Sequence, residues 1–259
     1  MDFRRYKLYL LDMDGTFYLG NQLLPGALDF IDKVNSAGGT YSFLTNNSSK
    51  TGDEYVKKLG RLGLKTSTQH VFTSGDATIE LLRHEGQWKR LYVVATPPVL
   101  KQFVEAGFEV TSDRPEAVVL TYDTTLDYEK ISTFALLVRS GLPYIASHPD
   151  FNCPTPEGPI PDMGAFIAMF EASTGRRPDR IVGKPNADFI QAAMLRFGVK
   201  PEETLMIGDR LYTDIQVGIN AGVDSALVLS GETTQDMLDE SEVRPTHVFD
   251  GLKSMVKES

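Results

Sequence analysis

The sequence predicts an α/β protein whose parallel sheets are divided between two lobes. Short apolar runs alternate with helical patterns along nearly all of the 259 residues. A strand–helix–strand order requires crossover connections, and such connections make neighbouring strands parallel. Because the chain has more strand–helix units than one compact open sheet of this length usually needs, we expect two α/β lobes.

The first strand and the first helix have clear boundaries. Residues 7–11 form a short, mostly apolar run that ends in an acidic turn containing glycine, which is typical of a buried strand. The Pro25-Gly26 pair opens a helix in which apolar residues recur at helical spacing, and a glycine pair at 38–39 ends it.

The same signals recur along the rest of the chain. Apolar runs bounded by turn residues predict strands, and apolar residues three or four positions apart predict helices. The strands are expected at 40–45, 71–73, 91–95, 117–121, 144–147, 204–207, 225–229 and 247–249, and the helices at 51–62, around 99–106, and at 128–139, 163–173, 187–197 and 214–221. A loop dense in proline and glycine is expected at 148–161.

The composition excludes several classes of protein. A hydrophobic fraction of 41% is too high for a disordered chain. The single cysteine cannot form an internal disulfide, which argues against a disulfide-stapled secreted scaffold and fits a reducing compartment. One cysteine and four histidines leave no structural zinc site of the usual kinds. The formal net charge of -9 argues against a nucleic-acid partner.

The apolar runs also argue against a membrane partner. The run Leu8–Leu11 near the start is too short for the core of a signal peptide. No other stretch approaches the roughly 18 apolar residues of a membrane-spanning helix. We therefore expect a soluble, cytoplasmic protein.

Two acidic residues follow the first predicted strand. In the sequence DMDGT at 12–16, Asp12 and Asp14 lie two positions apart, so their carboxylates point to the same side of an extended chain. They converge at the carboxyl end of a strand, the usual ligand face of an open parallel sheet. Their mutual repulsion is tolerable with a bound cation or a shared proton. The alternative is an acidic turn that caps the next element.

A second acidic pair follows the strand predicted at 204–207. Asp209 would lie at the end of that strand, and Asp214 at the start of the next helix. Either residue could have a purely local role, Asp209 in a turn and Asp214 as a helix N-cap. Together with Asp12 and Asp14, they supply four carboxylates at strand ends, enough for an octahedral Mg2+ site completed by water.

Two further signals point to phosphate. Thr45 and Asn46 follow the second main strand, where a hydroxyl and exposed backbone N–H groups can hold phosphate oxygens, although an ordinary turn has the same composition. Lys184 lies between Gly183 and Pro185 before a helix. It could bind phosphate or keep a carboxylate ionised, and the alternative is a solvated surface lysine.

The order of these motifs resembles that of the haloacid dehalogenase (HAD) superfamily of phosphatases. The motifs are DxDGT at 12–16, TNN at 45–47, GKP at 183–185 and GDRxxxD at 208–214. The resemblance spans nearly the whole chain, and it implies a Rossmann-like parallel-sheet core formed by residues 1–80 and 181–259.

The long interval between the core segments resembles the C2-type cap of subfamily IIA, the group of NagD and the 4-nitrophenylphosphatases. The sequences GNQLLPGA at 20–27 and HPDFNCPTPEG at 148–158 also resemble that subfamily. Its members more often have Asn-Pro-Asp where this chain has His148-Pro149-Asp150. The resemblance implies an inserted α/β cap domain at 81–180.

The resemblance implies a role for each acidic residue. Asp12 would be the nucleophile that forms an aspartyl-phosphate, and Asp14 would protonate the leaving group and then accept a proton from water. Mg2+ would be held by Asp12 and Asp209 together with the backbone carbonyl of Asp14. Asp214 would be an outer or occasional metal ligand.

The resemblance also implies residues that contact the substrate. Thr45 and the amide of Asn46 would hold the transferring phosphate oxygens, and Lys184 would offset their charge. In the cap, the candidates for substrate contact are His148, Asp150, Met163 and Gly164. Turn chemistry and helix capping are the alternatives for these four, and they are favoured for Asp150.

These residues favour a Mg2+-dependent phosphatase for small phosphomonoesters, either sugar phosphates or nucleoside monophosphates. A phosphotransferase or mutase would share the aspartyl-phosphate step, but it would need a second phosphate site, and no cluster of basic residues clearly makes one. A non-catalytic phosphate-binding regulatory module would be expected to lack Asp12 or Asp14, and both are present. The sequence leaves a homodimer open.

Overall fold

Strands and helices alternate throughout the computed structural model, which describes residues 2–153 and 157–257. In chain order the elements are β1 (Leu8–Leu11), β2 (Tyr18–Leu19), β3 (Gln22–Leu23), α1 (Ala27–Ser36), β4 (Thr40–Thr45), α2 (Gly52–Arg61), β5 (Val71–Thr73), α3 (Ser74–Glu85), β6 (Arg90–Val94), α4 (Pro97–Glu105), β7 (Glu109–Val110), β8 (Ala117–Leu120), α5 (Tyr128–Arg139), β9 (Tyr144–Ala146), β10 (Asn152–Cys153), β11 (Ile160–Pro161), α6 (Met163–Thr174), β12 (Arg180–Ile181), α7 (Asp188–Phe197), β13 (Thr204–Gly208), α8 (Gln216–Ala221), β14 (Asp224–Val228), α9 (Gln235–Glu240), β15 (His247–Phe249) and α10 (Leu252–Lys257). The predicted α/β class is confirmed.

The chain divides into two compact units. The first spans Met1–Thr45, Gly52–Phe72 and Lys184–Ser259, and the second spans Asn46–Thr51 and Thr73–Gly183. The second unit is therefore inserted into the first in two segments. Its function as a cap stays a prediction.

The first unit contains a parallel sheet in the order β15-β14-β13-β1-β4-β5. Strand β1 pairs in parallel with β13 on one side and with β4 on the other. Because these three strands run in the same direction, the residues that follow them emerge at the same edge of the sheet. All four residues of β1 are buried, as expected for a central strand covered on both faces.

The main core of the first unit lies between this sheet and helix α1. Alternate residues of the central strands, such as Tyr9 and Phe43, pack in one cluster with Phe30 of the helix. Gly26 is the N-cap of this helix, where φ is +83° and an added Cβ would lie 2.5 Å from the Lys253 Cα atom. Glycine is required there on both grounds.

The second unit has its own parallel sheet, in the order β12-β9-β8-β6-β7. Its core contains Phe134 of α5 and Phe170 of α6, whose ring centroids are 4.6 Å apart. The hairpin β10–β11 interrupts the loop predicted at 148–161. Residues 154–156 of that loop lie outside the described residues.

Several elements differ from the sequence-based expectation. Helix α3 was not predicted, although a reciprocal capping box between Thr73 and Asp76 marks its start. The helix expected at 214–221 begins earlier, with a π-helical turn at Leu211–Ile215, and continues as α8. None of the helices seen in residues 2–153 and 157–257 has the length and apolar character that a membrane span requires.

Candidate active site

Acidic side chains meet at the carboxyl end of the sheet in the first unit. Asp12 directly follows β1, and Asp209 directly follows β13. The backbone N–H of Asp12 extends the pairing of these strands by donating to the Ile207 carbonyl oxygen at 2.9 Å. Asp12, Asp209 and Asp214 each offer a carboxylate oxygen within 4.8 Å of the others. The fold thus brings together three carboxylates from two distant parts of the chain.

Asp209 is held in a cradle that two glycines make possible. An added Cβ would lie 2.4 Å from Asp209 Oδ2 at Gly15 and 2.0 Å from it at Gly231. The Glu232 N–H donates to Oδ2 at 2.7 Å, and the Thr16 hydroxyl donates to Oδ1 at 3.3 Å. Burial raises the pKa of Asp209, whereas the hydrogen bond from Glu232 lowers it. These contacts fix the orientation of the carboxylate.

Asp214 is buried on the π-helical turn that follows β13. Gly208 provides the room for it, because an added Cβ at Gly208 would lie 2.1 Å from Asp214 Cβ. The Arg210 N–H donates to Asp214 Oδ2 at 3.2 Å. The glycine of the GDR motif is therefore needed for the close approach of this acidic side chain.

Lys184 pairs with two of these carboxylates. Its Nζ donates to Asp12 Oδ1 and, at 2.7 Å, to Asp214 Oδ1. Burial lowers the pKa of Lys184, but the two carboxylates outweigh burial and raise it. Burial also raises the pKa of Asp214, and Lys184 opposes that rise. Because only 4% of Lys184 is exposed, the alternative of a solvated surface lysine is wrong.

Asp14 lies on the turn between β1 and the β2–β3 hairpin. Gly15 follows it with φ at +88° and donates its N–H to the Tyr18 carbonyl oxygen at 2.8 Å. The Asp14 side chain is exposed to solvent, yet partial desolvation of its carboxyl raises its pKa. Lys58 opposes this rise, and Asp12 adds to it. In the described residues, the side chain of Asp14 does not join the three-carboxylate group.

Thr45 and Asn46 are adjacent in sequence but belong to different compact units. Thr45 is the last residue of β4, which is paired with β1 in the first unit. Asn46 belongs to the second unit, where its side-chain amide donates to both carboxylate oxygens of Asp150 at 3.1 Å. Thr45 therefore lies at the same edge of the sheet as Asp12, and its contact with phosphate stays a prediction.

The four substrate-contact candidates of the second unit lie near one another. His148 is fully buried, and its Nε2 lies 2.9 Å from Asp162 Oδ1. Met163, the first residue of α6, is buried, and the backbone N–H of Gly164 donates to the Asp150 carbonyl oxygen at 2.7 Å. Gly164 has no room for a side chain, since an added Cβ would lie 2.5 Å from the Pro149 carbonyl oxygen.

The chain matches known proteins along nearly its whole length. A model of haloacid dehalogenase-like hydrolases matches residues 9–109, and a second HAD-type hydrolase model matches residues 181–255. The 5'-nucleotidase YutF of Bacillus subtilis is 32% identical over 253 residues, which cover 98% of each chain. The chain belongs to the haloacid dehalogenase-like hydrolase family.

Two further relatives place this HAD chain among phosphatases of similar size. The acid sugar phosphatase of Staphylococcus haemolyticus is 34% identical over 256 residues, covering 98% of this chain and 97% of the relative. The solved structure of a 4-nitrophenylphosphatase from Thermotoga maritima has a TM-score of 0.91 at 44% identity, with 98% of each chain covered. The resemblance to subfamily IIA that the motifs predicted is confirmed.

Sequence reasoning missed several residues that build this HAD site. Gly231 supports Asp209 from 22 positions further along the chain, and no local pattern marks that role. Lys58 lowers the pKa of Asp14 from the last turn of the polar helix α2, where its sequence context is that of a solvated lysine. In the second unit, the His148 partner Asp162 was also missed, although an acidic residue directly before an apolar helical run is a helix N-cap signal.

Proposed function

We propose that this chain is a Mg2+-dependent phosphatase that hydrolyses small phosphomonoesters through an aspartyl-phosphate. The observation that carries the proposal is the position of Asp12 at the carboxyl end of β1, where it is paired with the Lys184 ammonium and has an oxygen within 4.8 Å of the carboxylates of Asp209 and Asp214. An ionised carboxylate in that position is suited to attack phosphorus. The names of the relatives support the same class of reaction.

The donor set fits a magnesium ion. Three carboxylates within 4.8 Å of one another carry more negative charge than the single ammonium of Lys184 offsets. All their donor atoms are oxygens, which Mg2+ prefers, and a catalytic Mg2+ site uses few protein ligands and retains water. We propose that Asp12 and Asp209 hold the ion together with the backbone carbonyl of Asp14. When bound, Mg2+ would neutralise charge on the transferring phosphoryl group.

Asp214 is better suited to an outer role than to a direct ligand role. One of its oxygens accepts from Lys184 and the other accepts from the Arg210 N–H. We propose that Asp214 holds Lys184 in place, so that the ammonium stays beside Asp12 and the phosphate oxygens. The carboxylates of Asp12 and Asp214 and the buried ammonium of Lys184 then stabilise each other.

The proposed chemistry has two steps. In the first, a carboxylate oxygen of Asp12 forms a bond to phosphorus while the bond to the ester oxygen breaks, and Asp14 gives a proton to the departing oxygen. In the second, Asp14 accepts a proton from water as that water attacks phosphorus, which releases inorganic phosphate and restores Asp12. The raised pKa of Asp14 suits a carboxyl that must hold a proton in one step and release it in the other.

Thr45 and Asn46 complete the proposed phosphate site. We propose that the Thr45 hydroxyl and the amide of Asn46 hold the transferring oxygens, since phosphoryl transfer depends mainly on positioning and charge neutralisation. The first compact unit would be the catalytic core and the second the cap. A sugar phosphate or a nucleoside monophosphate is the proposed substrate, in keeping with the two kinds of activity that the relatives' names give.

The decisive test is the exchange of Asp12 for asparagine. The Asp12→Asn protein should fold normally and lose at least about a thousandfold in kcat towards 4-nitrophenyl phosphate. The matched control is Asp32→Asn, the same chemical change on the exposed face of α1. Borohydride reduction during turnover should trap the acyl phosphate on Asp12 in the wild-type protein alone. Full activity of Asp12→Asn would refute the assignment of the nucleophile.

A phosphate-release screen would then identify the substrate class. The panel should contain sugar phosphates and nucleoside monophosphates, each measured with Mg2+ present. Activity confined to one group would choose between the two proposed classes, whereas activity on neither group would contradict both. The cytoplasmic location and the homodimer remain predictions, and sedimentation of the purified protein would test the latter.

A further inference from the structure

A buried network of hydroxyl, imidazole and carboxylate groups lies in the second unit, outside the proposed catalytic residues. Its members are Ser48, Ser74, Ser147, His148 and Asp162, and all five are buried. His148 is at the centre, with Nε2 2.9 Å from Asp162 Oδ1 and Nδ1 3.1 Å from Ser147 Oγ. So many polar groups are seldom buried together unless each one has a partner.

One arrangement of protons satisfies this network. The Tyr122 N–H donates to Ser48 Oγ at 2.9 Å, and the Ser48 hydroxyl lies 2.8 Å from Ser147 Oγ. Ser48 can therefore donate to Ser147, and Ser147 can donate to His148 Nδ1. The opposite ring nitrogen then donates to Asp162, which also accepts from the Met163 N–H at 2.7 Å. His148 is thereby the acceptor that ends a chain of hydroxyl donors.

The network anchors the loop that follows β4. Asn46 is held twice, because the Ser74 hydroxyl donates to its carbonyl oxygen and its side-chain amide donates to Asp150. Ser48, two residues later, is held by the hydroxyl chain that ends at His148. These contacts fix both ends of the segment 46–48, whose first residue carries the amide assigned above to the transferring oxygens.

The same segment approaches the residue before Lys184. The Gly183 N–H donates to the Ser147 carbonyl oxygen at 2.7 Å. An added Cβ at Gly183 would lie 2.6 Å from His148 Cβ and 2.7 Å from Asn46 Oδ1. The Ser147 carbonyl and the His148 Cβ therefore also restrain the chain that leads into Lys184.

We propose that His148 and Asp150 are positioning residues, which fix the loop carrying Asn46 rather than bind the substrate themselves. This inference rests on the proposed function, because it assigns them a role in phosphate binding. His148 acts through Ser147 and Ser48, and Asp150 acts through the side chain of Asn46. A shift of about 1 Å in groups that hold a reacting phosphate can reduce the rate by about a hundredfold.

A metal site is a poorer explanation of the same residues. His148, Asp150 and Asp162 each offer a ligand atom within 4.8 Å of the others. However, His148 Nε2 is already paired with Asp162, and both oxygens of Asp150 accept from Asn46. A cation would have to break these contacts, including those that hold the loop.

Two substitutions at His148 distinguish the contribution of Nδ1 from that of Nε2. The amide of asparagine reaches about as far as Nδ1 and can still accept from Ser147, whereas the amide of glutamine reaches about as far as Nε2 and contacts Asp162 instead. His148→Gln should reduce kcat for 4-nitrophenyl phosphate by about 10- to 100-fold, with KM changed much less, because the loop acts on the transition state. His148→Asn should retain kcat within about threefold.

A control separates this effect from a general loss of stability. Asp127→Ala removes the N-cap of α5 in the same unit without touching the network, and it should lower the melting temperature while leaving kcat unchanged. A second variant, Asp150→Asn, leaves Asn46 with one acceptor oxygen and should also reduce kcat. Equal losses in His148→Gln and His148→Asn, or wild-type kcat in both His148→Gln and Asp150→Asn, would overturn the proposal.

Combining variants tests the path through Ser48. If His148 acts through Ser48, then His148→Gln should add less than about twofold to the loss in kcat caused by Ser48→Ala. If the kcat of the double variant falls by the product of the two single losses, the path through Ser48 is refuted. Ser48→Ala is a small change, so it remains informative if His148→Gln does not fold.

Hydrogen exchange tests the positioning role without depending on phosphatase activity. Amides of residues 46–49 should exchange about tenfold faster in His148→Gln than in His148→Asn, whether or not the protein is a phosphatase. A wild-type protein without phosphatase activity would refute the proposed function alone. Unchanged exchange at 46–49 in both variants would refute the positioning role alone.

Discussion

Exchanging Gly231 for alanine should disable the acidic cluster without unfolding the protein. An added Cβ at Gly231 would lie 2.0 Å from Oδ2, 2.5 Å from Cγ and 2.7 Å from Cβ of Asp209. Rotation of the carboxylate alone cannot relieve these contacts, because the Asp209 Cβ is fixed to the end of β13. Either the carboxylate or the loop must therefore move by about 1 Å, and movement of the loop would break the hydrogen bond from Glu232.

The expected loss can be estimated from this displacement. A misplacement of about 1 Å in a catalytic constellation reduces the rate by about a hundredfold. Loss of a supporting contact to a metal ligand weakens metal binding by about 10- to 100-fold. Because Gly231 lies on an exposed loop, we expect the stability of the fold to fall by only about 1–3 kcal/mol.

The assay is phosphate release from 4-nitrophenyl phosphate, titrated with Mg2+. Gly231→Ala should need about 10- to 100-fold more Mg2+ for half-maximal activity, and its kcat should be lower at saturation. Gly60→Ala is the matched control, since an added Cβ at that position of α2 meets nothing within 4 Å. Wild-type kcat and Mg2+ dependence in Gly231→Ala would refute the inference that Asp209 depends on this cradle.

Three further predictions test the electrostatics of the first unit. Lys184→Met leaves the buried Asp214 and the partly buried Asp12 without their ammonium, and it should reduce the free energy of unfolding in urea by about 3–5 kcal/mol. The exposed Lys101→Met should change that free energy by less than about 0.5 kcal/mol. Burial lowers the pKa of His247 below its ordinary value of 6.5, so the unfolded state binds a proton more readily and the free energy of unfolding should decrease as pH falls below about 6.5. The variant His247→Gln should lose that part of the pH dependence in urea titrations, and an unchanged profile would contradict this explanation. Chelation with EDTA should abolish phosphatase activity and added Mg2+ should restore it, whereas metal-independent hydrolysis would contradict the proposed site.

The sequence was most informative where local patterns carry the information. The apolar run before Asp12 and the apolar run before Gly208 each predicted a buried strand, and both strands are present. Parallel pairing then implied that Asp12 and Asp209 would emerge at the same edge. Because strand–helix alternation fixes the direction of neighbouring strands, this juxtaposition could be predicted without coordinates.

Helix α3 was missed although its sequence carries a local signal for the start of a helix. It begins with Ser74 and Gly75, residues that are unremarkable in a loop, and its start depends on a capping box between Thr73 and Asp76. The helix was therefore absent from the predicted order of elements. Likewise, the π-helical turn at Leu211–Ile215 has no separate sequence signature, since its apolar spacing resembles that of an ordinary helix.

By itself, the sequence determined the fold class and the family and predicted four acidic residues at strand ends, because these depend on periodicity and on motifs of a few residues. Only the tertiary structure decided which three of these carboxylates meet and which groups support them. Lys184 reaches Asp12 across 172 positions of sequence, and Gly231 makes room for Asp209 from a separate loop. It also showed that His148 is buried in a hydrogen-bonded network. Such pairings follow from how distant segments pack, and packing leaves no trace in the local pattern of either segment.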